Sequence, residues 1–306
     1  MPDLKKIFFR IETARKITQF IFFLLLSAVI FGLEPTSLLL PILLSSGTPQ
    51  KTVGDAFAAF QSMLYQVVFP WIPLASFLIV AVLLGRAMCG WVCPFGFVQD
   101  ILGYLKKKHV EVSLETHNGM VKVKYVILGI TAFISLTLAA SLAANVGRGY
   151  KAAIGVFGEA PFNAWSPAET LFAILPKMAL DLRYAIFEQE AFKILSGIVT
   201  FPPLFWVRLF ILAGVLALGV YIPRSWCRYI CPHGAGLALL NKFSFLGLKR
   251  EIHKCTKAEC RACVEACPMK VRILDLPWEK FTDPECIMCL KCVDACSTKA
   301  LKPKFP

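Results

Sequence analysis

Charged residues and histidines are scarce in this sequence, and their scarcity limits what the chain can be. Only 17% of the 306 residues are charged, whereas 57% are hydrophobic, which excludes a disordered chain and argues against two soluble domains. The four histidines all lie outside the long uncharged runs, so a transmembrane haem held by two histidines is not expected. Neither a Gly-rich dinucleotide loop nor a Walker loop is present, so nothing in the sequence suggests nicotinamide binding or nucleotide hydrolysis.

The hydrophobic residues gather in long uncharged runs, which are typical of transmembrane helices of about 20 residues. Four runs predict a span, although the last contains one arginine near its start. They are Ile17–Leu33, Tyr65–Gly85, Tyr125–Ala144 and Pro203–Ile222. We expect Pro70 and Pro73 to break the longer uncharged stretch in which the second run lies.

The distribution of basic residues predicts the topology. The formal net charge is +13, and most Lys and Arg fall on segments that share one side of the membrane if both termini are inside. The positive-inside rule therefore predicts a multi-pass protein of the cytoplasmic (inner) membrane with both termini cytoplasmic. Every cysteine then faces a reducing compartment, which favours metal ligation over structural disulfides.

A repeated cysteine motif follows the second and the fourth predicted span. The segments that begin at Arg86 and Arg224 both read R-x-x-C-x-x-x-C-P-x-G. The proline ends each ligand loop, and the glycine permits a tight backbone path around a bulky group. Together the two copies supply four soft ligands, enough for one iron–sulfur cluster. These candidate metal ligands are Cys89, Cys93, Cys227 and Cys231.

The repeat alone does not decide what its thiols do. A zinc or other metal site, a pair of redox-active dithiols, and buried inert thiols remain open beside the cluster. Arg86 and Arg224 would compensate the charge of thiolates or of a reduced cluster in one interpretation. We favour the other, in which they are ordinary basic residues at inner helix ends. His233, next to Cys231-Pro232, is interpreted as a turn residue rather than a ligand.

The C-terminal cysteines have the spacing of bacterial ferredoxins. The run from Cys286 reads C-x2-C-x2-C-x3-C, and the run from Cys255 reads C-x4-C-x2-C-x3-C-P. In such pairs, three thiolates of each run hold one cluster and the fourth reaches the other cluster. The rule predicts one 4Fe–4S cluster on Cys255, Cys260, Cys263 and Cys296, and another on Cys286, Cys289, Cys292 and Cys267. The four-residue first gap and Ser297, where proline is usual, depart from the pattern.

These features predict an α-helical membrane protein with four transmembrane helices in two repeated pairs. A cytoplasmic two-cluster ferredoxin domain follows at the C-terminus. We expect a first helix pair at residues 1–125, a second pair at 126–250 with an outer loop at 145–202, and the ferredoxin-like domain at 251–306. No catalytic side chain is expected, because the redox chemistry would belong to the clusters.

Together the spans, the two C-x-x-x-C-P motifs and the double ferredoxin run resemble the NapH-type membrane ferredoxins, from Ile17 to Leu301. These are the quinol-dehydrogenase subunits associated with periplasmic nitrate reductase. The resemblance implies electron transfer between the quinone pool and other redox subunits in the lipid membrane, without nucleic acid. Similar cores occur in the methylamine-utilisation ferredoxin and in the nitrous-oxide reductase regulator, so the resemblance leaves the pathway open. It also leaves open an accessory or maturation role for a respiratory metalloenzyme.

Overall fold

The computed structural model describes residues 11–26, 36–44, 52–106, 109–179, 203–256 and 260–305. Most of these residues are helical. The chain forms two compact units, and each is assembled from separated segments. Unit 1 comprises Met1–Leu25, Leu74–Leu128 and Gly219–Pro306, and unit 2 comprises Leu26–Pro73 and Gly129–Leu218.

Two helices in the described residues are long and apolar enough to cross a membrane. They are Leu114–Ala143 (α6) and Pro203–Tyr221 (α10), and they contain most of the third and fourth predicted spans. Both expose large apolar side chains, among them Phe133, which is 67% exposed, and Phe210, which is 73% exposed. Exposed apolar surface of this kind suits contact with lipid.

The other two predicted spans are only partly matched by helices. The first helix, α1, covers Ile11–Leu26, and the rest of the Ile17–Leu33 run lies outside the described residues. In the second run, α2 (Ala56–Tyr65) ends before Pro70 and α3 (Trp71–Leu84) begins after it. The expected proline break is thus confirmed, because a proline cannot donate the backbone hydrogen bond of a continuous helix. The 14 residues of α3 make it shorter than a full span.

Unit 2 is built around α2 and the segments that follow α6. Asp55 caps α2 by accepting hydrogen bonds from the backbone of Phe57 and Ala58, at 2.8 and 3.1 Å. The Phe57 ring packs edge-on against Phe162 at 5.9 Å between centroids. The remaining regular elements of this unit are strands β1 (Leu39–Leu40) and β2 (Gly54–Asp55), which pair in parallel, helices α7 (Arg148–Ile154), α8 (Val156–Glu159) and α9 (Pro167–Glu169), and a π-helical turn at Thr170–Ile174.

In unit 1 the two repeat motifs fold in the same way. Each forms a short helix, breaks, and starts a second helix at its proline: α4 (Ala87–Trp91) and α5 (Pro94–Leu102) in the first copy, α11 (Ser225–Tyr229) and α12 (Pro232–Asn241) in the second. The first cysteine of each pair lies in the short helix and the second is the N-cap of the next. The thiols of a pair are therefore carried by two helices that meet at a break.

The C-terminal segment of unit 1 has little regular structure. Strand β3 (Gly247–Arg250) pairs antiparallel with β4 (Leu301–Lys304), and between them lie α13 (Ala262–Glu265) and α14 (Lys291–Asp294). The buried Arg250 guanidinium donates to the carbonyl oxygens of Ile273, Leu274 and Leu276 at 3.0 to 3.2 Å. These bonds hold the loop between the two cysteine runs against β3.

Candidate iron–sulfur site

The two repeat motifs are locked together by their arginines. Nη1 of Arg224 donates to the carbonyl oxygen of Cys89 at 2.7 Å, and Nη2 of Arg86 donates to the carbonyl oxygen of Cys227 at 3.2 Å. Each arginine therefore reaches across to the first cysteine of the other copy. Both side chains are completely buried. The interpretation of Arg86 and Arg224 as ordinary interfacial residues is wrong, because such residues keep their charge in water.

The last glycine of each motif makes room for these arginines. A Cβ atom on Gly96 would lie 2.8 Å from the Cys89 oxygen and 3.3 Å from Nη1 of Arg224. On Gly234 it would lie 2.9 Å from Nη2 of Arg86. A side chain at either position would displace the guanidinium of the opposite copy. The arginine of each copy thus packs against the last glycine of the other copy.

Asp100 neutralises Arg224 at the base of the first motif. Its carboxylate accepts two hydrogen bonds from the guanidinium, at 2.9 Å from Nε and 2.6 Å from Nη2. It also accepts from Arg15 at 2.8 Å and Gln19 at 3.1 Å, and lies 3.1 Å from Lys16. Burial alone would raise the pKa of Asp100, but the surrounding cations hold that pKa well below its usual range. The carboxylate is therefore ionised at neutral pH.

Glu285 neutralises Arg86. This glutamate lies next to Cys286 in the C-terminal segment at residues 251–306, called the tail below. Nη1 of Arg86 donates to this carboxylate at 2.9 Å, Lys124 pairs with it, and the Tyr125 hydroxyl donates to it at 3.0 Å. Burial opposes ionisation of Glu285, but Arg86 and Lys124 lower its pKa. Arg86 thus takes its counter-charge from the ferredoxin-like segment.

The four motif thiols are buried and share one electrostatic environment. Burial raises the pKa of Cys227 and of Cys231; Cys89 adds to both shifts, and Cys93 adds to that of Cys231. Nε2 of Gln99 lies 3.2 Å from the Cys227 sulfur, and the backbone N–H of Gly234 lies 3.4 Å from the Cys231 sulfur. Donors aimed at sulfur are the kind of contact that tunes a ligated thiolate.

The electrostatic neighbours of the tail thiols include the long-range partners of the crossing rule, and Cys263 of one predicted set also acts on Cys292 of the other. Burial is the largest cause that raises the pKa of Cys263. The cysteines at 255, 260 and 296 raise it further. The thiols that act on Cys286 and Cys292 include Cys267 and Cys289. Burial raises the pKa of Cys267 to about 11. That these two sets ligate clusters stays a prediction, but the long-range partners, Cys296 and Cys267, lie with the opposite run.

A cavity lies among the thiols of the second tail set. Cys267, Cys286, Cys289 and Cys292 line it together with apolar side chains such as Leu248 and Met269. Four thiols around an apolar space are the donor set that a 4Fe–4S cluster requires. In the described part of the chain, no three Cys, His, Asp or Glu side chains are placed to hold a single metal ion. A cluster differs because each thiolate binds its own iron.

The tail packs closely on the first repeat motif. Nε1 of Trp91 donates to the Met288 oxygen at 2.8 Å, and a Cβ atom on Gly90 would lie only 2.3 Å from the Ile287 oxygen. On the second motif, Nδ2 of Asn241 donates to the Cys286 oxygen at 3.2 Å. One buried apolar cluster contains thiols from all three sets, namely Cys89, Cys263, Cys289 and Cys292.

Sequence reasoning missed several residues of this site. Asp100, Glu285, Gln99 and Asn241 bind the motif residues without belonging to the repeated pattern. Gly90, a variable position inside the first motif, abuts Ile287 of the tail. The one usable signal was the arginine itself. Its position is identical in both copies, which a chance interfacial residue would not require. His233, interpreted above as a turn residue, lies instead at the start of helix α12 and is buried there.

Comparisons with known proteins agree with the cysteine motifs. The family model of a 4Fe–4S binding domain matches residues 68–112 and 204–253, the two segments that contain the repeat. An uncharacterized protein of Methanocaldococcus jannaschii is 29% identical over 74% of this chain and 76% of its own. The putative electron transport protein YccM of Escherichia coli is 23% identical over 73% of this chain and 52% of its own.

A third relative is named as a ferredoxin-type protein. The ferredoxin-type protein NapH of Haemophilus influenzae is 24% identical over 74% of this chain and 64% of its own length. The chain thus spans about half of YccM and about two thirds of this NapH. No solved structure matches the chain. The chain is thus similar to a 4Fe–4S binding domain and to relatives that include the putative electron transport protein YccM and the ferredoxin-type protein NapH.

Proposed function

We propose that this protein transfers electrons through iron–sulfur clusters between the membrane quinone pool and redox partners, as a subunit of a respiratory complex. The observation that carries the proposal lies in unit 1. Thiols of all three sets, the repeat-motif set and the two tail sets, belong there to one buried cluster of side chains. Two relatives, the putative electron transport protein YccM and the ferredoxin-type protein NapH, support it by the roles that their names give.

Each thiol set has a proposed role. The set that includes Cys263 and Cys296 holds one 4Fe–4S cluster, and the set that includes Cys267 and Cys286 holds a second. A third iron–sulfur centre is held by the repeat motifs through Cys89, Cys93, Cys227 and Cys231. Clusters supply one-electron transfer when bound, and the chain holds them close together and controls their charge.

The buried arginines suit this use. A cluster gains negative charge on reduction, and a nearby fixed cation stabilises that charge most strongly where water is excluded. Arg86 and Arg224 lie at 0% exposure and bond the backbone of Cys227 and Cys89. Asp100 and Glu285 offset part of their charge, so that the centre is not left with two unpaired cations.

The membrane arrangement is also part of the proposal. We infer four spans, both termini on the cytoplasmic side, and the ferredoxin-like segment at residues 251–306 against the inner surface. The two long apolar helices α6 and α10 support a membrane location. Quinone is the lipid-soluble carrier, and the exposed apolar faces of these helices contact lipid.

Quinol should reduce the clusters of the intact protein. In nanodiscs under anaerobic conditions, added quinol is expected to produce the EPR signals of reduced clusters, because each quinol releases two electrons and two protons. Cys89→Ser should slow quinol reduction of the tail clusters roughly tenfold or more, since it removes a ligand from the intervening centre.

Dithionite provides the control, since it reduces exposed tail clusters directly. It should reduce the Cys89→Ser protein as fast as the wild type. Clusters that dithionite reduces but quinol leaves oxidised in the wild type would rule out the quinone link. Equal quinol rates in both proteins would place the repeat centre off the route.

A further inference from the structure

A polar cavity of about 450 Å³ lies in unit 1 beside the second tail set. Its walls come from the end of α5, from the residues after α10 and from the tail. Four Lys or Arg side chains and three Asp or Glu side chains lie in the lining, and the thiol-bearing Cys267 forms part of one wall. The cluster proposed on Cys267 would lie at one wall, and the electron-transfer proposal assigns no role to the rest of the cavity.

Arg228 is the most informative residue of the lining. It is only 2% exposed, yet all its hydrogen-bond acceptors are neutral. Nε and Nη2 lie 3.3 and 3.1 Å from Nδ1 of His117, and Nη1 lies 3.5 Å from the Pro268 oxygen. Among the described residues, no carboxylate lies within ion-pair distance of this guanidinium. Buried charges in proteins are normally paired, so the site calls for an anion.

Other cations of the lining are also free to bind an anion. In the described ranges, Lys106 and Lys270 have no carboxylate within ion-pair distance, and Lys106 lies 4.0 Å above the Tyr221 ring. Lys291, by contrast, pairs with Glu12 at 3.0 Å. The lining therefore offers two lysines of variable reach around one fixed arginine.

The acidic groups of the lining do not satisfy Arg228. Asp100 is already bonded to Arg224 and to two further cations. Glu111 and Glu265 are exposed to solvent, where their charge is screened by water and salt. The cavity thus keeps an unpaired buried cation although acids line part of it.

The position of the cavity suggests where an anion would come from. Pro223 belongs to its lining and lies just beyond the end of the apolar helix α10 at Tyr221. The adjacent Tyr104 and Leu105 are 60% and 71% exposed. In the membrane arrangement proposed above, this end of α10 lies at the depth of the lipid headgroups, where basic pockets at the ends of membrane helices bind acidic lipids.

We propose that this cavity binds a phosphate group, with Arg228 as the principal contact and Lys106 and Lys270 as auxiliary contacts. The planar guanidinium matches the geometry of phosphate oxygens. The phosphate belongs either to the headgroup of an anionic lipid or to a free phosphate ion. The lipid source rests on the membrane arrangement proposed above, whereas the phosphate site itself does not depend on the proposed electron-transfer function.

Two arms of one experiment test the proposal on the full-length purified protein. In detergent, inorganic phosphate is titrated at constant ionic strength and the unfolding temperature is recorded. In nanodiscs of phosphatidylglycerol or phosphatidylcholine, native mass spectrometry records which lipid stays bound. Retained phosphatidylglycerol without an effect of inorganic phosphate supports a lipid ligand, and stabilisation by inorganic phosphate supports a free anion.

Variants locate the site. Arg228→Gln should weaken phosphate or lipid binding about tenfold or more, and Lys106→Gln with Lys270→Gln should weaken it in the same direction. The double lysine variant keeps the test valid if Arg228→Gln fails to fold, because both lysines are exposed. Arg272→Gln is the matched control, since Arg272 is 63% exposed and lies 3.7 Å from Asp275. It should bind like the wild type.

Binding in neither arm would overturn the proposal, and so would equal binding by the wild type and by all variants. The counter-charge of Arg228 would then be the tail cluster itself. Iron content is measured on the same samples. Full iron without phosphate binding therefore counts against this inference alone, and wild-type protein without iron counts against the proposed function.

Discussion

Replacing Arg224 with Gln is expected to destabilise the protein by about 3–5 kcal/mol, because it leaves a buried carboxylate without its strongest partner. Asp100 would lose two hydrogen bonds, and the Cys89 carbonyl oxygen would lose its donor. The repeat centre should then bind less iron, since the two copies are no longer held together. Thermal unfolding and iron content per chain measure the two effects.

A second substitution separates charge from packing. In the double variant Arg224→Gln with Asp100→Asn, part of the stability should return, because the unpaired carboxylate is gone. The sign of the pH dependence follows from the lowered pKa of Asp100. Its ion pairs stabilise the protein at neutral pH, and this stability is lost as the pH falls through that lowered pKa.

Arg148→Gln is the matched control for Arg224→Gln. Arg148 is exposed in α7, so removal of its charge should change stability by no more than about 0.5 kcal/mol. If Arg224→Gln behaved like this control and kept its iron, the cross-links between the motifs would not hold the centre.

Gly90→Ala is expected to separate the tail from the first motif without removing a ligand. The added Cβ would lie 2.3 Å from the Ile287 oxygen and 3.7 Å from the backbone nitrogen of Cys289. Both are backbone atoms of the tail, which cannot move aside as a flexible side chain would. Overpacking of this kind costs about 1–3 kcal/mol, and the tail should shift outward.

The functional consequence is a slower exchange of electrons. We expect iron content near that of the wild type and reduction of the tail clusters by quinol slowed roughly tenfold or more. Gly129→Ala is the control, because a Cβ there meets no atom within 4 Å. Unchanged electron exchange in Gly90→Ala would show that the Gly90 contact does not set the distance between the centres.

The sequence was most informative where chemistry depends on spacing along the chain. The ferredoxin run from Cys286 and its companion predicted which thiols would lie together, and Pro70 predicted a helix break. Such patterns are local, or follow one crossing rule. The bracing of the motifs could not be read in this way, because Asp100 and Glu285 meet Arg224 and Arg86 only after folding.

The repeat also concealed an asymmetry. Asp100 follows Arg86 in the first copy, and the corresponding position of the second copy is Ala238. Asp100 pairs with Arg224 of the other copy, so the second copy has no acid to return to Arg86. Glu285 from the tail supplies it. The tail therefore completes a contact that the repeat alone leaves unfinished.

The most direct test of this account is the iron and acid-labile sulfide content of the full-length protein, purified anaerobically in detergent. Three 4Fe–4S clusters predict about twelve iron atoms and about twelve sulfides per chain. Cys89→Ser, Cys93→Ser, Cys227→Ser or Cys231→Ser should each lower both values by about four. About eight of each in the wild type, unchanged by these substitutions, would contradict a cluster at the repeat motifs. Zinc without sulfide would contradict electron transfer by this protein altogether.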